Sequence, residues 1–249
     1  MKSYLFSLMV VLFSFTADAQ FTEGEIIYES KVNLHRNLPE RMEPMKSQIP
    51  EFRTSKHVLQ FTNQESYFFR KQNTEAEQGE FNADRRRFRR MGGGRDDVKL
   101  YTDLSTRISL ESREFFGKKF LIEGEANDFK WKFTGESKQV GSYLCQKAIH
   151  RDTSMMVEAW FTPMIPVAAG PENFTGLPGL ILHVDINEGE RVITAMEVNN
   201  TKVDASAIVK PTEGEQISRA DYRVMTREKM KEMREEYGGD RRGRMGRGH

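Results

Sequence analysis

The chain has 249 residues, 37% of them hydrophobic and 30% charged, which suits one globular domain or one domain with appended tails. Thirty-eight Lys and Arg balance 37 Asp and Glu to a formal net charge of +1, so overall charge names no partner. The single cysteine, Cys145, excludes an intrachain disulfide framework, and the core must hold by packing alone.

The first element in chain order is a leader. MKSYLFSLMVVLFSFTADAQ combines one early Lys, an apolar run and Ala17-Asp18-Ala19 before Gln20. That is the pattern of a secretory signal peptide, with 1–19 removed by cleavage after Ala19. An uncleaved anchor is the alternative, although the run falls short of the ~20 apolar residues that a bilayer requires. Export without disulfides points to a bacterial envelope, so the expected location is periplasmic or outer-membrane-associated.

Short segments with period-two alternation follow and predict a β domain over 20–214. Candidates are Ile26 to Lys31, Val58 to Phe61, Ser66 to Arg70, Lys99 to Thr102 and Arg107 to Glu111. Phe115 to Glu123 reads as another, interrupted by Gly117-Lys118-Lys119. Phe129, Trp131 and Phe133 alternate with Lys130, Lys132 and Thr134, as in a half-buried strand. Ser137 to Val140 and Tyr143 to Ile149 flank Gly141-Ser142, a hairpin turn; Val157 to Thr162 comes next. Leu180 to Ile186 and Val192 to Val198 are linked through Asn187-Glu188-Gly189-Glu190. Strands without alternating helices predict a mainly β fold, a single curved antiparallel sheet or an open barrel.

Helix is expected at the C-terminus, over 215–237, where SRADYRVMTREKMKEMREEY holds good helix formers and sparse apolar positions. Gly238-Gly239 is a natural stop. Two segments depart from globular composition: an Arg/Gly-rich loop at about 74–97 and the tail 238–249, both read as disordered.

Candidate chemistry is sparse. GPENFTGLPGLILHVD (170–185) is glycine-rich, but it has neither phosphate-loop spacing, Pro178 removes a donor, and an apolar β run follows. No nucleophile elbow, HExxH or CxxC occurs, and no cofactor or metal is implied. His183 and Asp185 lie on one side of a strand, either as a proton-transfer pair or as a hydrogen-bonded structural pair. Cys145 alternates with Tyr143 and Lys147 on a strand, with no helix N-terminus to activate it, and reads as structural. The arginine-rich segments resemble nucleic-acid binders in composition, but export argues against that partner. In an envelope they would meet acidic lipid or polysaccharide, or serve only as solvated linkers.

GLPGLI (176–181) resembles the signature of the GLPGLI family, also called Porph_ging, exported proteins of Bacteroidetes-type bacteria. FKWKFTGESKQVGSYLCQKA, AWFTPMIPVAAGPENFTGLPGLILHVD and EGERVITA are similar to its central and C-terminal blocks. EIIYESKVN and MKSQIPEFRTSKHVLQF resemble the N-terminal part of its longer members. The family has no assigned activity. The resemblance implies an envelope accessory role, with a TonB-dependent receptor as candidate partner. It also implies a likeness to lipoprotein-carrier half-barrels.

Pro163, Pro166 and Pro171 force the chain out of the sheet after Trp160, and Gly176 and Gly179 ease its re-entry at Leu180. Trp131, Cys145, Pro166, Gly176, Pro178 and Gly179 are expected to be structural. Trp160, an exposed Phe174, an exposed Leu177 and His183 are the expected partner-binding residues. The function expected is a non-enzymatic exported β protein that binds an envelope partner, accessory to outer-membrane transport or assembly. The alternative is a carrier of a lipidic or other apolar ligand, which requires an empty apolar pocket.

Overall fold

The computed structural model describes residues 21–36, 38, 40–71, 98–126, 129–152, 155–204 and 206–239. The expected leader, the 74–97 segment and the expected tail from 240 on lie outside them, whereas Gly238 and Gly239, expected to stop the helix and begin the tail, still belong to the C-terminal helix.

Twelve strands among the described residues form one sheet. They are β1 Gly24–Asn33, β2 Phe52–Phe61, β3 Glu65–Arg70, β4 Lys99–Asp103, β5 Ile108–Phe115 and β6 Lys118–Glu125. The second half holds β7 Lys132–Val140, β8 Tyr143–Arg151, β9 Met156–Thr162, β10 Leu180–Ile186, β11 Arg191–Asn199 and β12 Glu215–Ser218. Helix α1, Arg219–Gly239, ends the described chain, and a 3-10 helix at Glu40–Gln48, unread in the sequence, joins β1 to β2. The sheet order is β12-β6-β5-β4-β3-β2-β1-β11-β10-β9-β8-β7. Two meanders, β1 to β6 and β7 to β11, are thus welded through the antiparallel β1–β11 pair.

The sheet is rolled. In a flat sheet the ten strand spacings between β6 and β7 would separate them by ~48 Å. Six residues, 126–131, connect the two strands, and such a stretch reaches about 24 Å at most. The edges must therefore curl toward one another, and the result is an open barrel that does not close.

Local chemistry explains the turns. Phe116 and Gly117 both take positive φ (49° and 80°), so the expected interruption at 117–119 is a tight hairpin between β5 and β6. Gly141 (φ 57°) opens the β7–β8 hairpin, and Asn187, Glu188 and Gly189 supply the left-handed run between β10 and β11.

The expected helix over 215–237 starts late. Glu215 to Ser218 pair in parallel with Phe120 to Glu123, the one parallel pair in an otherwise antiparallel sheet. Ser218 then caps α1 by accepting from the Asp221 amide at 3.0 Å, which ends the strand and starts the helix. Arg219 anchors the first turn to the inner face, donating to Glu111 (3.2 Å) and Ser109 (2.8 Å). Tyr222 meets Phe120 edge-on, whereas Val224 and Met230 further along stay exposed.

One main core is a single buried cluster that holds Tyr28, Phe61, Phe68, Phe161, Ile181 and Ile193 on the inner face and also takes in Trp160 and Cys145 from the other side of β8 and β9. A second, smaller core lies on the outer face, where Ile208 covers Tyr67 and Tyr101. The segment after β11 crosses this outer face on its way to β12 at the far edge.

Candidate functional site in the 163–179 crossover

The prolines lift the chain off the sheet after Thr162, but the segment does not become an exposed loop. Ile165, Val167 and Ala169 are buried while Pro166 and Ala168 between them are exposed, so the ribbon presents one apolar edge inward. Two successive γ-turns hold it, with the Val167 amide donating to the Ile165 carbonyl and the Ala169 amide to the Val167 carbonyl. The same ribbon is tied to β10, because the Leu180 amide donates to Ile165 (3.0 Å) and that of Ile181 to Ala169 (3.0 Å). Tyr28 clamps the junction from β1, its buried hydroxyl donating to the Ile181 carbonyl at 2.6 Å.

The expected exposure of Phe174 and Leu177 is therefore corrected. Phe174 is 5% and Leu177 1% exposed, because the rolled sheet receives them as core residues. Phe174 stacks on Phe129 at 5.1 Å, and Trp131 alongside donates from Nε1 to the Thr175 carbonyl at 2.8 Å. Gly176 (φ 87°) is exposed at the crest and brings the backbone close to Trp131, while Pro178 faces solvent. Buried Gly179 permits a close approach, since a Cβ there would lie 2.2 Å from the Thr162 carbonyl oxygen.

Trp160, His183 and Cys145 gather on the opposite face of β8 to β10. Register places Lys147 opposite Trp160, and Trp160 opposite His183. Lys138 Nζ sits 4.2 Å from the Trp160 ring centroid, and Lys147 also reaches Glu158 at 3.0 Å, so the indole is buried under lysine stems. Cys145 is fully buried, and burial pushes its thiol up to about 11 against the pull of Lys138, so it is not a thiolate at neutral pH.

His183 and Asp185 do not act together. The His183 Nδ1 pairs with the Thr194 hydroxyl at 2.8 Å, and Asp185 accepts from the Gly189 amide at 2.6 Å. Burial, helped by Lys138, lowers His183 from its ordinary 6.5 to about 4. The folded state thus holds a neutral imidazole that the unfolded chain would protonate first, and stability rises with pH across that interval. Stability is expected to fall as pH drops from 6.5 toward 4, and less steeply in His183→Gln, as read from urea unfolding midpoints at successive pH values.

The inner face also carries a charged cluster that sequence reading missed. Arg191 on β11 holds Glu172 of the crossover through both carboxylate oxygens, one contact at 3.1 Å, while its Nε donates to Ser30 (3.2 Å). Burial works to raise the Glu172 carboxyl, but Arg191, Arg113 and His57 together keep it below the ordinary carboxylate value. Arg191 holds this carboxylate directly, and Arg113 on β5 and His57 on β2 add to its field. The only local sign in the sequence was a charged residue between Pro171 and Asn173. Among the described residues no three His, Cys, Asp or Glu are placed to hold a metal, and no helix is long and apolar enough to cross a membrane.

The fold and this packed crossover define an open β-barrel that keeps its own connecting loop inside. Residues 149–183, from β8 through the crossover to β10, match the sequence model of Porph_ging, described as a protein of unknown function. The GLPGLI resemblance thus holds for that stretch. Among solved structures, PNGF-II in a C2 crystal form is similar at a TM-score of 0.53 and 13% identity, over 82% of this chain and 32% of that one. Its P21 form gives 0.52, 14%, 82% and 33%. The chain spans about a third of the length of PNGF-II, and at such identity the likeness concerns the fold alone. No curated protein sequence matches.

Proposed function

We propose that this is an exported, non-enzymatic β protein that docks an envelope partner, in an accessory role for outer-membrane transport or assembly, through the β7 edge of its sheet. The observation that supports this reading is the edge itself. Among the described residues β7 has one neighbour, β8, and its nine residues are almost all exposed. Such an edge presents backbone groups to which a partner strand can add. Two large apolar side chains stand beside it with much of their surface in water, Phe133 at 54% exposed with its ring edge-on to Phe161, and Leu144 at 60% exposed. The leader pattern and the family resemblance support export.

The carrier alternative requires an empty apolar interior, and here the crossover side chains Ile165, Val167, Phe174 and Leu177 occupy the inner face. The burial of Phe174, Leu177 and Trp160 supports a docking surface at β7 and β8 instead. In-cell photo-crosslinking from an unnatural residue at Phe133 is expected to give a discrete envelope-protein adduct that Leu144→Glu abolishes, with none from position 174. An adduct unaffected by Leu144→Glu, or only a lipid adduct, would contradict edge docking.

A further inference from the structure

Glu172 occupies a position where its backbone is a misfit. The Phe174 amide donates to the Pro171 carbonyl at 3.2 Å, which closes a four-residue turn with Glu172 as its first central residue. Glu172 takes φ 54° there, a conformation that L side chains rarely adopt and that such turns give to Gly, Asn or Asp. Strained residues held by surrounding structure concentrate at functional sites. What holds this one is its carboxylate, gripped by both terminal nitrogens of Arg191 in the planar fork that guanidinium and carboxylate share.

The receiving site exists without Glu172. Arg191 is fixed by Ser30 on the neighbouring strand, and Ser30 is itself 1% exposed. Arg113 is steered by Glu111 at 2.6 Å, and Glu111 is shared with Arg219. Removing Glu172 would take away the carboxylate that Arg191 grips, while Arg113 and Arg219 keep Glu111. The grip is also reachable, since the side chains of Arg191 and Glu172 are 30% and 25% exposed.

The geometry points to a carboxylate-binding site on the inner face, formed by Arg191 as Ser30 holds it, which the chain fills with its own Glu172. An acidic ligand binds there by displacing Glu172, and the release of a strained turn favours the exchange. The ligand class is a carboxylate, on an acidic side chain or at a chain terminus. The site does not depend on docking at the β7 edge, and its test reads neither a partner nor a crosslink.

The test is thermal unfolding of full-length Glu172→Gly, which suits the turn and empties the site, in sodium acetate, chloride or phosphate at one ionic strength and pH. The result expected is a saturable rise in Tm with acetate that chloride and phosphate do not reproduce. Arg191→Met in the same background is expected to abolish the rise, and wild type to respond less because Glu172 competes. N-acetylglutamate α-amide against N-acetylalanine then shows whether a side-chain or a terminal carboxylate fits better. Equal effects of chloride, a response to phosphate alone, or an acetate response that survives Arg191→Met would overturn the site. If Glu172→Gly does not fold, the same titration on Glu172→Gln decides, since it keeps the side-chain length and removes the charge.

Discussion

Gly179→Ala is expected to destabilise the protein by about 3 kcal/mol or more, near the upper end of what overpacking does. The added Cβ would lie 2.2 Å from the Thr162 carbonyl oxygen and 2.7 Å from its carbon. Both are backbone atoms at the end of β9, so no side-chain rotation relieves the clash. Relief requires moving either β9 or the start of β10, and Leu180 is bonded to both the crossover and the sheet. A denaturant titration should show a lower midpoint, and a drop in slope as well would mean that the native state has loosened. Gly117→Ala is the matched control. Its Cβ meets nothing within 4 Å, so only its positive φ of 80° opposes the change.

The second large effect is expected at Leu177→Ala, with a loss of about 3–5 kcal/mol from transfer and cavity terms. Leu177 is 1% exposed and belongs to the main buried cluster, so the site has little freedom to collapse. An exposed docking leucine would lose almost nothing on the same change, because surface substitutions usually stay within about 0.5 kcal/mol. Leu144→Ala supplies that comparison inside the same protein, since more than half of its surface is already in water. The two variants, unfolded side by side in urea, separate a core residue from a surface one without any knowledge of a partner.

What was legible in the sequence was local. The Gly141-Ser142 hairpin, the Asn187 to Glu190 turn and the strand at Leu180 to Ile186 follow from turn residues and period-two alternation within a few positions. The re-entry role of Gly179 was legible for the same reason.

Features that depend on rolling were not. Phe174 and Leu177 look like exposed loop tips until the sheet curls and encloses the crossover, and the ring that Phe174 stacks on, Phe129, lies 45 residues away in sequence. The strand at Glu215 to Ser218 hides inside a helical composition because parallel pairing with β6 is set by geometry across the barrel. His183 and Asp185 do share a side of one strand, but Thr194 and the Gly189 amide claim them separately. The Glu172–Arg191 pair joins positions 19 residues apart across a crossover and a turn, a separation with no periodic signature. Alternation assigned Phe133 inward, where its ring does meet Phe161, but nothing in the sequence marks a strand as the last in its sheet, so the exposure of Phe133 and Leu144 was not legible.

That the crossover is part of the core is tested most directly by amide hydrogen exchange across 165–181, followed by mass spectrometry of the native protein. The amides of Leu180 and Ile181 take their acceptors from Ile165 and Ala169 on the crossover itself, so their protection reports its docking. The result expected is exchange as slow as that of β9, with Val167 and Ala169 protected in the same cooperative unit. Fast exchange of these amides while β9 stays protected would mean that the crossover is an open loop, contradicting its place in the core.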